Sequence, residues 1–206
     1  MQISRFLFEN TIKSNMQNTF FLKEPISFAD KNVSFVALNQ KQLKSAIDFT
    51  TTTFLAQDQT NIILVSFTQN PNELIANMPQ QWRKKLIIID AFSKEDQKIP
   101  QVLHIDNASD LTSIMIAVEK AQKNLTGKIV ILFDSMNMLS IYNKKDTLGK
   151  FIHIFCNKTR LEEKTAILFT VKESTDEGVL ELLSEFADKA YDFSSLFISA
   201  ISTLSE

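Results

Sequence analysis

Val33-Ser34-Phe35-Val36-Ala37 runs directly into Leu38-Asn39-Gln40-Lys41-Gln42-Leu43-Lys44-Ser45, and the reading of that junction decides the fold. The first five residues have the apolar character of a buried strand, and Ala46-Ile47-Asp48-Phe49 continue beyond the junction as a helix. A strand, a short connection ending in Lys-Ser and then a helix form the setting of the phosphate-binding loop G-x-x-x-x-G-K-[ST]. In that loop backbone N–H groups cradle phosphates, the lysine reaches the outer phosphates and the hydroxyl holds Mg²⁺. Lys44 and Ser45 keep the last two positions, but Leu38 and Leu43 stand where both glycines belong. Leucine resists positive φ and sets a side chain where phosphate would lie. The expectation is a loop that has lost its cradle.

Glycine is scarce throughout. Gly127, Gly149 and Gly178 are the only three in 206 residues, where average usage gives roughly 14. Nucleotide-binding folds use glycine wherever backbone approaches phosphate, so the scarcity agrees with the altered loop. Phenylalanine, present 17 times, takes over much of the packing. With 44% hydrophobic residues the chain suits one domain with a substantial core. Twenty-two basic and 24 acidic residues leave a net charge of −2, which gives no general basic field for nucleic acid. Cys156 is the lone cysteine, so no internal disulfide forms, and the composition fits a reducing cytosol. No cleavable leader and no apolar run of about 18 residues is found. The expectation is a soluble cytoplasmic protein without a membrane partner.

Short apolar runs alternate with amphipathic stretches, the pattern of βαβ units and a mostly parallel sheet. Further strands are expected at Asn61 to Phe67, Leu86 to Asp90, Val102 to Ile105, Lys128 to Asp134, Thr165 to Val171 and Lys189 to Phe193. Helices are expected from Pro71 through Met78, from cap residues at Asp106 to Ser109 running to about Lys123, from about Asp146 to Glu162, and from Glu177 to Phe186. The expected fold class is α/β, a three-layer arrangement with a mostly parallel central sheet flanked by helices. No linker divides residues 1–206, so a single domain is expected. Residues 1–31, rich in Phe, are expected to form an N-terminal extension packed on the core. Residues 194–206 are expected to form a C-terminal amphipathic helix, docked on the chain's own core or offered to a partner, with Phe193, Leu196, Phe197, Ala200, Ile201 and Leu204 on one face.

Several segments together resemble the KaiC branch of the RecA-like ATPases, over roughly residues 30–193. Val65-Ser66-Phe67-Thr68-Gln69-Asn70-Pro71-Asn72-Glu73-Leu74-Ile75 resembles the family's second strand and following helix, often written VSFEESPEELI. Ile88-Ile89-Asp90-Ala91-Phe92-Ser93 is similar to its IIDAFS run. Ile131-Leu132-Phe133-Asp134-Ser135 resembles the Walker B strand. Leu148 to Phe155 and Ala166 to Val171 resemble the helix and strand that follow, and Phe186 to Tyr191 is similar to the closing LADGVI-type segment. The resemblance implies a RecA-like fold and subunits that assemble side by side with nucleotide between them.

Departures from that pattern shape the functional expectation. The resemblance implies a pair of glutamates that activate the attacking water; here Thr68 and Gln69 occupy those positions. Neither supplies a carboxylate base, although Gln69 could orient a water. Asp134 keeps the acid that the resemblance links to Mg²⁺. Lys44, Ser45 and Asp134 are therefore the nucleotide-binding candidates if binding is retained, with no catalytic residue and no metal site expected. As ordinary structural features, Lys44 is a solvated lysine, Ser45 a helix-start residue and Asp134 a hydrogen-bonded relic. His104 and His153 show no metal-ligand spacing and fill packing or surface roles.

Three readings follow. The first is a non-catalytic RecA/KaiC-like pseudo-ATPase, not an enzyme, with no cofactor. It acts as a regulatory or assembly subunit on a protein partner, either an active paralogue or another copy of itself. The second is a sensor or weak ATPase that binds ATP with Mg²⁺. The third is a recombination accessory protein that binds DNA through Lys144, Lys145 and Lys150 near Tyr142.

Overall fold

The computed structural model describes residues 31–93, 99–123 and 125–195. Seven strands make one sheet: β1 (Val33–Leu38), β2 (Thr60–Ser66), β3 (Leu86–Asp90), β4 (Val102–His104), β5 (Lys128–Phe133), β6 (Thr165–Val171) and β7 (Lys189–Asp192). Their spatial order is β4-β3-β2-β5-β6-β1-β7, and every pairing is parallel. Parallel neighbours require crossovers, and the helices that make them cover both faces, so the central strands are apolar on both sides.

The alternation along the strands separates two cores. Phe35, Val65, Ile131 and Leu168 face one layer, formed by α4 (Leu111–Gln122), α5 (Met136–Tyr142), α6 (Lys145–Leu161) and α7 (Glu177–Phe186). Val36, Leu64, Leu132 and Phe169 face the other, formed by α1 (Gln40–Leu55), α2 (Pro71–Ala76) and α3 (Gln80–Arg83). The three-layer α/β arrangement expected from the sequence is the one observed. In the first core the phenylalanines pack as a chain. Phe133 lies 6.4 Å from Phe67 and edge-on to Phe155 at 5.0 Å, and Phe155 stacks on Phe151 at 6.2 Å.

Gly127 is the glycine whose conformation the fold demands. Its φ is +90°, and an added Cβ would meet the Gln59 carbonyl oxygen at 2.5 Å. That close approach allows Lys128 N–H to donate to Gln59 O and start β5 beside β2.

Two helices were not expected from the sequence. α3 is four residues long, too short for a periodic signal, and α5 begins two residues past Asp134. The expected N-terminal extension lies outside the described residues apart from Lys31. Ser194 and Ser195, the first two residues of the expected C-terminal helix, form a turn, and the rest of it lies outside the described residues. Among the described residues, no helix is long and apolar enough to cross a membrane.

Candidate functional site

Ligands of open α/β sheets bind beyond the carboxyl ends of the strands, which here are Leu38, Ser66, Asp90, His104 and Phe133. At the first of these the structure corrects an expectation. Leu38 to Ser45 read as a degenerate phosphate-binding loop with Lys44 at the helix start, yet only Asn39 separates β1 from α1. Asn39 is the helix N-cap and forms a reciprocal capping box with Gln42. Gln42 N–H donates to Asn39 Oδ1 at 3.1 Å, and Asn39 N–H donates to Gln42 Oε1 at 2.9 Å. This Asn-x-x-Gln spacing, with no glycine to hold the backbone open, winds the segment into the first turn of α1. Ser45 is accordingly not a helix-start residue but lies in the second turn, half-buried.

Both leucines turn into the protein. Leu38 is completely buried and Leu43 is 4% exposed, within the core that includes Val36, Ile47 and Phe169. The cap side chains also hold the chain that leaves β7. Gln42 Nε2 donates to Phe193 O at 3.1 Å, and Asn39 Nδ2 donates to Ser194 O at 3.2 Å. Main-chain carbonyl oxygens therefore face the cap of α1.

Asp134 follows β5 and is completely buried. Its Oδ1 accepts from Phe67 N–H at 2.9 Å. Its Oδ2 accepts from Ser66 Oγ at 2.7 Å, Thr68 N–H at 3.1 Å and Thr68 Oγ1 at 2.9 Å. Burial raises the carboxyl above its ordinary value, while the Ser66, Phe67 and Thr68 donors pull it down. Four donors satisfy the carboxylate, and they knit the turn after β2 to the end of β5.

Among the described residues, no hydrogen bond or ion pair joins Lys44 or Ser45 to Asp134. Lys44 is exposed on the side of α1 and lines a cavity of about 590 Å³ between α1 and the α2–α3 segment. No local pattern announces this cavity, because its walls come from separate elements. Leu43, Leu74, Met78, Trp82 and Phe92 provide apolar surface, and Thr68 and Gln69 close the end nearest the sheet edge. Two wall atoms have no hydrogen-bond partner, Thr51 Oγ1 and Gln69 Nε2. Asp48, also on this wall, has its carboxyl pushed up by desolvation, with Lys44 one turn away pulling it down.

The remaining titratable candidates are dispersed. His104, at the end of β4, has Nδ1 3.5 Å from Asp90 Oδ2 and Nε2 3.6 Å from Asp106 Oδ1. The two acids lie on opposite ring nitrogens and cannot share one ion. His153 pairs with Asn157 at 2.8 Å and lies against Phe186. Cys156 is buried, and desolvation pushes its thiol up to about 12. No group of three or more His, Cys, Asp or Glu residues able to hold a metal occurs among the described residues. Lys144, Lys145, Lys150 and Tyr142 are all exposed around the start of α6.

These elements define an open parallel α/β domain of the RecA-like type. Among solved structures, the chain is similar to the KaiC-like protein PH0186 of Pyrococcus horikoshii OT3, at 13% identity over 80% of this chain and 74% of that one, with a TM-score of 0.60. It is equally similar to PH0321 of P. horikoshii, an uncharacterised protein solved in complex with an unknown peptide. There the identity is 13% over 79% of this chain and 77% of that one, again with a TM-score of 0.60. A third structure, PH0250 of P. horikoshii OT3, aligns at 11% identity over 82% and 85% of the two chains, with a TM-score of 0.56. The fold is thus KaiC-like and RecA-like; at these identities the likeness is one of fold alone. No family model and no curated protein matches the sequence.

Proposed function

We propose that this chain is a non-catalytic RecA/KaiC-like domain that works in the cytoplasm by binding protein, as a regulatory or assembly subunit. The observation that carries the reading is the β1–α1 junction. A phosphate cradle needs several backbone N–H groups pointing into open space. In this chain the corresponding residues are helical, capped by their own side chains and faced by the carbonyls of Phe193 and Ser194. Carbonyl oxygens repel phosphate oxygens, so the junction offers little to a nucleotide.

The second strand end supports the same reading. Thr68 takes one of the glutamate positions, and its hydrogen bonds draw it onto Asp134 rather than towards a water. With the base absent and Asp134 occupied by four donors, neither water activation nor Mg²⁺ positioning has a free carboxylate here. The peptide held by PH0321 supports protein binding as a use of this fold.

Calorimetric titration with Mg²⁺-ATP, using Lys44→Ala as the control, tests the proposal. The expected result is no heat of binding at millimolar nucleotide. Micromolar binding that disappears in Lys44→Ala would overturn it and make the chain a nucleotide sensor.

A further inference from the structure

Six large apolar side chains stand exposed among the described residues, and they are not scattered. Five of them, Ile116, Ile141, Tyr142, Ile154 and Leu161, lie on α4, α5 and α6, helices of one layer. The same stretch carries cations. Residues 111–123 and 136–161 hold seven lysines and arginines against two acids, in a chain whose net charge is −2. Lys120, Lys144 and Lys150 are exposed there and form no ion pair with another described residue. Single exposed apolar residues are ordinary; a group of them edged by one sign of charge has the form of a binding surface.

α4 and α6 are neighbours. Lys158 of α6 pairs with Glu119 of α4, and Lys164, just past α6, donates to Gln122 Oε1 at 2.6 Å. Each helix connects two parallel strands of the sheet, so the two run in the same direction. One turn back from the Glu119–Lys158 pair stand Ile116 on α4 and Ile154 on α6. Leu161, seven residues beyond Ile154, shares its face. Lys150 lies one turn before Ile154, and Lys120 one turn after Ile116. The seam between the two helices therefore has apolar side chains along it and cations at its margins.

A broad anionic partner does not fit this seam. α7 lies against the opposite side of α6, with Leu182 beside Gly149 and Phe186 beside His153. Gly149 and Lys158 are nine residues apart, which sets them on opposite sides of the helix. α7 exposes Glu177, Glu181 and Glu185, one to each turn. An anionic membrane laid across the layer would press on those acids and be repelled. DNA phosphates would meet the same acids, and they gain nothing from isoleucine. A single helix, about 10–12 Å wide with its side chains, lies along the seam without reaching them.

We propose that the seam between α4 and α6 binds an acidic amphipathic helix of a partner protein. The inference rests on the protein-binding part of the function proposed above and adds the partner's chemistry. Ile154 and Leu161 are separated by about 10.5 Å along α6, the spacing of apolar positions i and i+7 on a docked helix. Apolar contact with Ile116, Ile154 and Leu161 provides the hold. Acidic side chains on the docked helix meet Lys120 and Lys150, which speeds encounter and sets orientation. Nucleotide binding in the calorimetric titration would leave this seam standing, and failure of the seam would leave that titration untouched, so the two readings fail separately.

The probe is a fluorescein-labelled synthetic peptide of about 14 residues, roughly four helical turns. It carries leucine at i, i+3, i+7 and i+10, with glutamate and alanine elsewhere, and is titrated with the full chain by fluorescence anisotropy. One control peptide has lysine for every glutamate, and a second has serine for every leucine. The acidic peptide is expected to bind saturably, and each control at least about tenfold more weakly. Ile154→Ser and Lys150→Glu change exposed side chains and leave the fold intact. Each is expected to weaken the acidic peptide by about tenfold. Phe92→Ser, at the exposed aromatic beside the α1 cavity, is expected to change nothing. Absence of saturable binding, equal binding of the lysine peptide, or indifference to Ile154→Ser and Lys150→Glu overturns the proposal. Displacement of the peptide by duplex DNA or by phosphatidylserine vesicles also overturns it, and would assign the lysines to that partner instead.

Discussion

Thr68 donates both its backbone N–H and its hydroxyl to a single oxygen of Asp134, 66 residues away, at 3.1 and 2.9 Å. The position that resembles a catalytic glutamate is thereby committed to holding the second and fifth strands together at their carboxyl ends. Thr68→Glu restores the acid but removes the hydroxyl bond and brings a second carboxylate to Asp134. Its expected cost is about 0.5–1.5 kcal/mol from the lost hydroxyl bond alone, with further loss from setting a second carboxyl beside a buried one. Urea unfolding measures the cost, and the ATPase assay of the same variant is expected to stay at background.

Asp134 also gives stability a pH dependence of definite sign. Its carboxyl is raised above the ordinary 3.8, so the native state holds the proton more tightly than the unfolded chain. The stabilising contribution is fully present below about pH 3.8 and is lost as pH rises through the raised native value. Asp134→Asn removes that titration. The stability of the wild type relative to Asp134→Asn is expected to fall as pH increases upward from 4, as read by urea midpoints at a series of pH values.

Leu43 and Lys44 are adjacent, but the structure assigns them opposite fates. Leu43→Ala empties a packed core position and is expected to cost about 2–5 kcal/mol. Lys44→Ala changes an exposed side chain and is expected to stay within about 0.5 kcal/mol of wild type. Thermal or urea unfolding of the two variants checks the contrast. A large loss from Lys44→Ala would mean that its side chain has a structural task the geometry does not show.

Cys156 offers a chemical test of the first core. With its thiol pushed up to about 12, almost no thiolate exists at pH 8 in the native protein. A disulfide reagent such as DTNB is expected to react at the rate of protein opening, and immediately once urea unfolds the chain. Fast reaction without denaturant would show that α6 opens locally.

Gly127→Ala forces a side chain onto a φ of +90° and into contact with the Gln59 carbonyl. The backbone strain is expected to cost about 1–3 kcal/mol, seen as a lower urea midpoint. Gly149→Ala, whose added carbon meets only the flexible Leu182 side chain at 3.3 Å, is the milder comparison.

Much of this architecture was legible because the strands are short apolar runs with clear ends. The bounds of β3, β6 and α7 coincide with those read from the sequence. The start of α1 was misplaced because alignment to a glycine-rich pattern imposes a loop. Asn39 and Gln42 carried the contrary signal, since an Asn followed three residues later by Gln caps a helix. α5 was missed because its seven residues make only two turns, too few for a clear helical period. The partners of Asp134 could not be read at all. Ser66, Phe67 and Thr68 meet it only once β2 and β5 have become neighbours, a pairing set by the sheet order rather than by any local pattern.

The two outer strands of the described sheet are its shortest. β4 has three residues and β7 has four, and β7 carries Lys189 and an Asp192 already paired with Lys172. A chain adding itself to either rim would gain only a few main-chain hydrogen bonds, and at β7 it would meet charge as well. Growth of the sheet from one molecule into the next is therefore a poor route to assembly. The proposed protein binding would then use side-chain surfaces, where partners can be told apart and where contact can be reversed without unpicking the sheet.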